Sequence, residues 1–104
     1  MPEFSPLRIG LAGFGNVGAG VYKNLAQNAD LLQQRTGHRL EVCRIAVRDP
    51  DKPRDVELPA DLVTTNLDDL VNDRETDIIV ELIGGTETAF DFVKDSLQAG
   101  KAVV

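Results

Sequence analysis

The sequence predicts an α/β fold, a doubly wound parallel sheet, and three observations carry that prediction. Short apolar runs suited to buried strands alternate with longer stretches whose apolar residues recur at helical spacing. The first such run passes directly into a glycine-rich turn and then into a helical pattern. The fourth run, Asp77 to Gly85, is nearly continuously apolar, as expected for a strand covered on both faces. At 104 residues, with 42% hydrophobic and 27% charged residues, the chain is expected to be one domain spanning residues 1–104.

Taken in order, residues 1–6 hold two prolines and read as an irregular lead-in. Leu7, Ile9 and Leu11 mark the first strand, which ends in Gly13-Phe14-Gly15-Asn16-Val17-Gly18, a G-x-G-x-x-G pattern. In that pattern the first glycine permits the tight turn, the second lets the backbone approach a pyrophosphate, and the third lets helix and strand lie close. The helix beginning near Asn16 then offers its free N–H groups and positive dipole end to the phosphates. A strand before the turn and a helix after it make dinucleotide binding the expected function, against a purely structural turn.

Val17, Val21, Leu25, Ala29 and Leu32 recur at helical spacing, so one helix is expected to run to the break at Thr36-Gly37-His38. Gly20 either admits a neighbouring loop or is tolerated at up to about 1 kcal/mol relative to alanine. His38, the only histidine, reads as an exposed loop residue. Leu40 to Val47 forms the second strand, with Leu40, Val42, Ile45 and Val47 as its apolar positions. Within it Cys43 reads as a buried, inert thiol. One cysteine excludes an internal disulfide and a cysteine-cluster metal site, so neither a metal nor its ligands are expected.

A charged, proline-punctuated loop follows from Arg48 to Pro59, then a short strand at Leu62, Val63 and Thr64. Asn66 is a candidate N-cap, and Asp68 and Asp69 in the first turn complement the helix dipole. Glu81 interrupts the fourth strand and is expected to be structurally paired. Thr86 to Ala99 reads as a helix with Ala89, Phe90, Val93 and Leu97 inward, stopped by Gly100. Lys101 to Val104 opens a fifth strand. The expected sheet order is 3-2-1-4-5, with right-handed crossovers.

In such a sheet the ligand sits at the carboxyl ends of the strands, where the strand order switches. Gly84 and Gly85 should therefore face the same crevice as Gly13 to Gly18. An acidic residue at the end of strand two would bond ribose hydroxyls. Here Arg48 stands at that end, 30 residues beyond Gly18. A guanidinium suits a 2′-phosphate better than a bare diol, which places NADP ahead of NAD as the expected cofactor. Lys52 and Arg54 read as solvated loop charges. The net charge of −6 argues against nucleic-acid and acidic-membrane partners. No signal segment or membrane-spanning run appears, so a soluble, cytoplasmic protein is expected.

The segments GLAGFGNVGAGV (10–21), AVRDPDK (46–52), VELIGGTETA (80–89) and LQAGKAVV (97–104) together resemble the N-terminal nucleotide-binding domain of homoserine dehydrogenase. The resemblance implies a Rossmann fold and NAD(P)-dependent interconversion of L-homoserine and L-aspartate 4-semialdehyde, a step toward threonine and methionine. It implies Phe14 to Val17 along the pyrophosphate, Arg48 by the adenosine ribose or its phosphate, and Ile83, Gly84 and Gly85 near the nicotinamide ribose. Two residues depart from the family pattern: Thr88 where proline is common, and Ala102 where histidine is common.

The family's T-A-N-K segment and its substrate and dimerisation domain are not in this sequence, so the chain reads as a fragment that would be inactive alone. Its catalytic residues would lie beyond Val104, in a full-length protein expected to be a homo-oligomer. A regulatory module that senses the dinucleotide without catalysis is the competing expectation. A third is a Rossmann-like domain with no ligand.

Overall fold

The computed structural model describes residues 6–54, 56–83 and 87–104. Five parallel strands form one sheet in the order β3-β2-β1-β4-β5, as expected: β1 (Leu7–Ala12), β2 (Leu40–Ala46), β3 (Val63–Thr64), β4 (Ile78–Glu81) and β5 (Ala102–Val103). The helices are α1 (Asn16–Gln27), α2 (Ala29–Thr36), α3 (Asp68–Asn72) and α4 (Glu87–Gln98). Alternate residues of a strand face opposite sides, and the sheet accordingly has two cores. Ile9, Leu11, Ile45 and Val47 pack with Val21, Tyr22 and Leu25 of α1. Ala12, Ala46, Leu70, Ile79 and Phe92 fill the other side beneath α3 and α4. Gly10 belongs to this second packing: a Cβ there would stand 2.9 Å from Leu70 Cδ2.

Strand β2 contains an irregularity that keeps its apolar residues in phase. Ile9 pairs with Val42 but Gly10 pairs with Arg44, so Cys43 is an extra residue, a β-bulge. Leu40 and Val42 before it, and Ile45 and Val47 after it, therefore join the same core although their sequence parity changes. Cys43 itself is half-buried rather than buried, with Sγ 3.3 Å from Thr76 Oγ1. Thr76 Oγ1 donates to Asp73 Oδ2 at 2.9 Å, which leaves the thiol as donor to Thr76. Burial pushes the thiol above its ordinary range, consistent with the inert role expected.

Several further expectations are corrected. The first helix breaks at Asn28, whose side chain bonds the Asn24 carbonyl and amide oxygens. Val17 is 66% exposed, so the buried stripe of α1 starts at Gly18 instead. In α4, Phe90 and Leu97 are 70% and 56% exposed, while Phe92 and Ser96 are buried with Ala89. Ser96 Oγ donates to the Phe92 carbonyl at 2.8 Å, so its hydroxyl enters the core satisfied. His38 is half-buried, and Leu62 closes a 3-10 turn, Ala60–Leu62, ahead of β3. Strand β4 is also shorter than the apolar run that marks it: it ends at Glu81, and the Leu82 N–H adds one last bond to the Ala12 carbonyl at 2.9 Å. Asn66 Oδ1 accepts the Asp68 N–H at 3.0 Å, so this side chain bonds the start of α3 from the residue before its N-cap, Leu67.

Candidate dinucleotide site

The three glycines of the turn meet three different surroundings. Gly13 has φ +106°, a region that side-chain-bearing residues rarely adopt, and a Cβ there would stand 3.1 Å from the Leu82 carbonyl oxygen. A Cβ on Gly18 would stand 2.9 Å from the Gly13 carbonyl oxygen, so its absence lets α1 lie on the turn. Gly15 has an ordinary φ of −86°, and, its chain neighbours apart, a Cβ there would meet no atom of the described residues within 4 Å. Two glycines are thus demanded by the fold, and the middle one is not.

Gly15 occupies the N-cap position of α1, where no side chain caps the helix and no acidic residue sits in the first turn. The first N–H groups of a helix lack partners within it, and among the described residues no side chain satisfies them. Phe14 is held over the turn by an edge-to-face contact with Tyr22, ring centroids 6.0 Å apart.

A crevice of about 440 Å3 opens at the carboxyl ends of β1, β2 and β4. Gly13, Phe14 and Gly15 line it from the turn, Arg48 from the end of β2, and Ile83 from the end of β4. Asn16 lines an adjoining groove, Val17 faces solvent, and Gly18 is buried against the turn. Gly84 and Gly85 lie outside the described residues. Glu81 is half-buried and its Oε1 accepts the Ile83 N–H at 2.7 Å, so this carboxylate shapes the crevice floor. A larger hollow of about 770 Å3 lies between the 50–60 loop and β3, and it touches no residue of the glycine turn.

Lys52, Arg54 and Thr88 also line the crevice. Arg54 Nη1 donates to the Lys52 carbonyl at 3.0 Å and Nη2 to the Asp49 carbonyl at 2.8 Å, folding the loop back toward the turn. Asp49 Oδ1 accepts the Asp51 N–H at 2.9 Å, so this carboxylate shapes the loop's own turn. The available signal was a proline-punctuated loop holding two cations in an acidic chain, although no periodicity could show that it folds back. Among the described residues no group of three or more His, Cys, Asp or Glu could hold a metal ion. No helix among them is long and apolar enough to cross a membrane.

The family model described as "Homoserine dehydrogenase, NAD binding domain" matches residues 13–104. The homoserine dehydrogenase of Bacillus subtilis is 36% identical over 98 residues, covering 94% of this chain and 23% of that protein. That of Corynebacterium glutamicum is 40% identical over 110 aligned positions, covering 99% of this chain and 24% of the relative. A crystal structure of a homoserine dehydrogenase from Thiobacillus denitrificans superposes with a TM-score of 0.87 at 42% identity, over 96% of this chain and 23% of that one. The Staphylococcus aureus homoserine dehydrogenase at pH 6.5 gives a TM-score of 0.88 at 33% identity, over 97% of this chain and 26% of that one. The chain spans about a quarter of the length of these relatives.

Proposed function

This chain belongs to the family of homoserine dehydrogenase NAD-binding domains, and we propose that it is the cofactor-holding part of an enzyme that interconverts L-homoserine and L-aspartate 4-semialdehyde. The observation that carries the proposal is the turn itself. Gly13 and Gly18 are locked by backbone contacts, whereas the space over Gly15, beside an uncapped helix N-terminus, is clear among the described residues. A pyrophosphate fits that cradle, since it needs close backbone approach and free N–H donors.

In this role the backbone of Phe14 to Val17 binds the pyrophosphate, between the structural glycines Gly13 and Gly18. Arg48 lies at the adenosine end, with NADP preferred over NAD through its 2′-phosphate. Ile83 lies by the nicotinamide ribose. When bound, the nicotinamide supplies a hydride acceptor or donor. The chain's own residues bind and orient it, and Glu81 stays committed to the Ile83 N–H. We place the substrate-holding and proton-transferring groups, and the homo-oligomer contacts, in the rest of a full-length cytoplasmic enzyme serving threonine and methionine synthesis.

Calorimetric titration tests the binding role: the purified chain should bind NADP(H) and NAD(H). A chain that binds neither contradicts the proposal. Hydride transfer needs the substrate carbon held about 3–3.5 Å from the nicotinamide, so the chain alone should show no homoserine-dependent reduction of NAD(P).

A further inference from the structure

Beside the crevice, along the first two turns of α1, runs a second groove of about 320 Å3. Asn16, Ala19, Gly20 and Lys23 form its helical wall, because residues three and four apart share a helix face. Helical side chains lean toward the N-terminus, which carries the Lys23 ammonium back in the direction of Gly15. Gly20 has open space among the described residues where a Cβ would stand, so the wall stays low up to Lys23. Lys52, Pro53 and Arg54 form the facing wall.

The charge in this groove is one-sided. Three cations line it and, among the described residues, no carboxylate does, in a chain of net charge −6. Neither of the two ion pairs found among the described residues involves Lys23, Lys52 or Arg54. Arg54 spends two of its N–H groups on loop carbonyls, which fix its position without neutralising its charge. Lys52 and Arg54 also line the crevice that contains Arg48, so groove and crevice meet at this loop.

We propose that Lys23, together with Lys52 and Arg54, binds the 2′-phosphate of NADP(H), making Lys23 a cofactor-selecting residue on a different element from Arg48. The proposal rests on dinucleotide binding in the adjoining crevice. A phosphate monoester carries a charge near −2 at neutral pH, so several cations contribute to holding it, and NAD(H) lacks the group.

The test is calorimetric titration, at low salt, of wild-type chain and of Lys23→Glu, Lys23→Arg and Arg48→Ala. The ligands are NADP, NAD, adenosine 2′,5′-bisphosphate and 5′-AMP. Lys23→Glu should weaken NADP and the bisphosphate roughly five- to thirtyfold while shifting NAD and 5′-AMP less than about twofold. Lys23→Arg should retain the selectivity, and the wild-type preference should shrink as salt rises. Lys23 is exposed on α1, so the variants should melt like wild type. Equal losses for NADP and NAD, or no loss for NADP, overturn the proposal. If Arg48→Ala loses NADP selectively and Lys23→Glu does not, dinucleotide binding stands and only the role of Lys23 falls. If wild type binds neither dinucleotide, both fall.

Discussion

At the amino ends of the strands Lys101 Nζ donates to the carbonyls of Asp73 and Thr76, the Arg8 N–H donates to Asp77 Oδ2, and Arg8 Nη1 pairs with Glu75 Oε2. At the carboxyl ends Arg48, Lys52 and Lys23 make no side-chain hydrogen bond or ion pair among the described residues. Both rims bear a hollow of nearly the same size, about 460 Å3 at the amino end and about 440 Å3 at the carboxyl end. Size therefore does not tell the two apart. What separates them is that one rim's polar groups satisfy each other, whereas at the other Arg48, Lys52 and Lys23 have no side-chain partner among the described residues. The first arrangement holds the fold; the second is the one to which we assign the dinucleotide.

The contrast is broken first by exchanging what each rim loses. Lys101→Met removes two charge-assisted bonds and should cost about 1.5–3 kcal/mol of stability in urea denaturation, with dinucleotide affinity unchanged. A matching drop in affinity would mean the amino rim also shapes the site. Arg48→Ala should do the opposite. It should weaken NADP(H) binding about 10- to 100-fold, the equivalent of one charge-assisted hydrogen bond, and leave NAD(H) binding and the melting temperature close to wild type. Equal losses for the two cofactors would make Arg48 structural.

A smaller effect comes from pH. Burial pushes the Asp73 carboxyl upward, but the Glu75 N–H, the Thr76 hydroxyl and the charges of Arg44 and Lys101 more than offset it, leaving the pKa below 3.8. A depressed folded pKa contributes stability that is present above the unfolded value and lost as pH falls through the folded one. The chain should therefore lose part of its stability below pH 3.8. Asp73→Asn should flatten that acid limb of the melting curve without altering cofactor binding near neutrality. An acid limb identical to wild type would show that the amino rim draws nothing from this carboxylate.

The sheet order and the glycine turn were legible because each depends on local pattern: apolar runs at strand length, and glycines at set spacing before a helix. The face of α4 was not. Ala89, Phe90, Val93 and Leu97 make as good a helical stripe as Ala89, Phe92, Val93 and Ser96, and the latter can be the buried one because Ser96 carries its hydroxyl inward already satisfied on the Phe92 carbonyl. The break at Asn28 depends on a side chain bonding back to Asn24, which periodicity does not register. Arg48 was legible as the end of a strand. The return of Lys52 and Arg54 to the crevice goes with bonds from Arg54 to two carbonyls of its own loop, a matter of loop conformation rather than of apolar spacing.

The central claim is that Gly15 is glycine for the ligand's sake and not for the fold's. The most direct measurement is paired calorimetry and thermal melting of Gly15→Ala against wild type. Its chain neighbours apart, a methyl there meets no atom of the described residues within 4 Å, and the backbone φ is ordinary. Stability should therefore fall by no more than about 1 kcal/mol, the cost of alanine at an N-cap. Affinity for both NADP(H) and NAD(H) should fall at least about tenfold, because the methyl would stand between the turn's N–H groups and the pyrophosphate. Undiminished binding of both dinucleotides by a folded Gly15→Ala chain would contradict the claim.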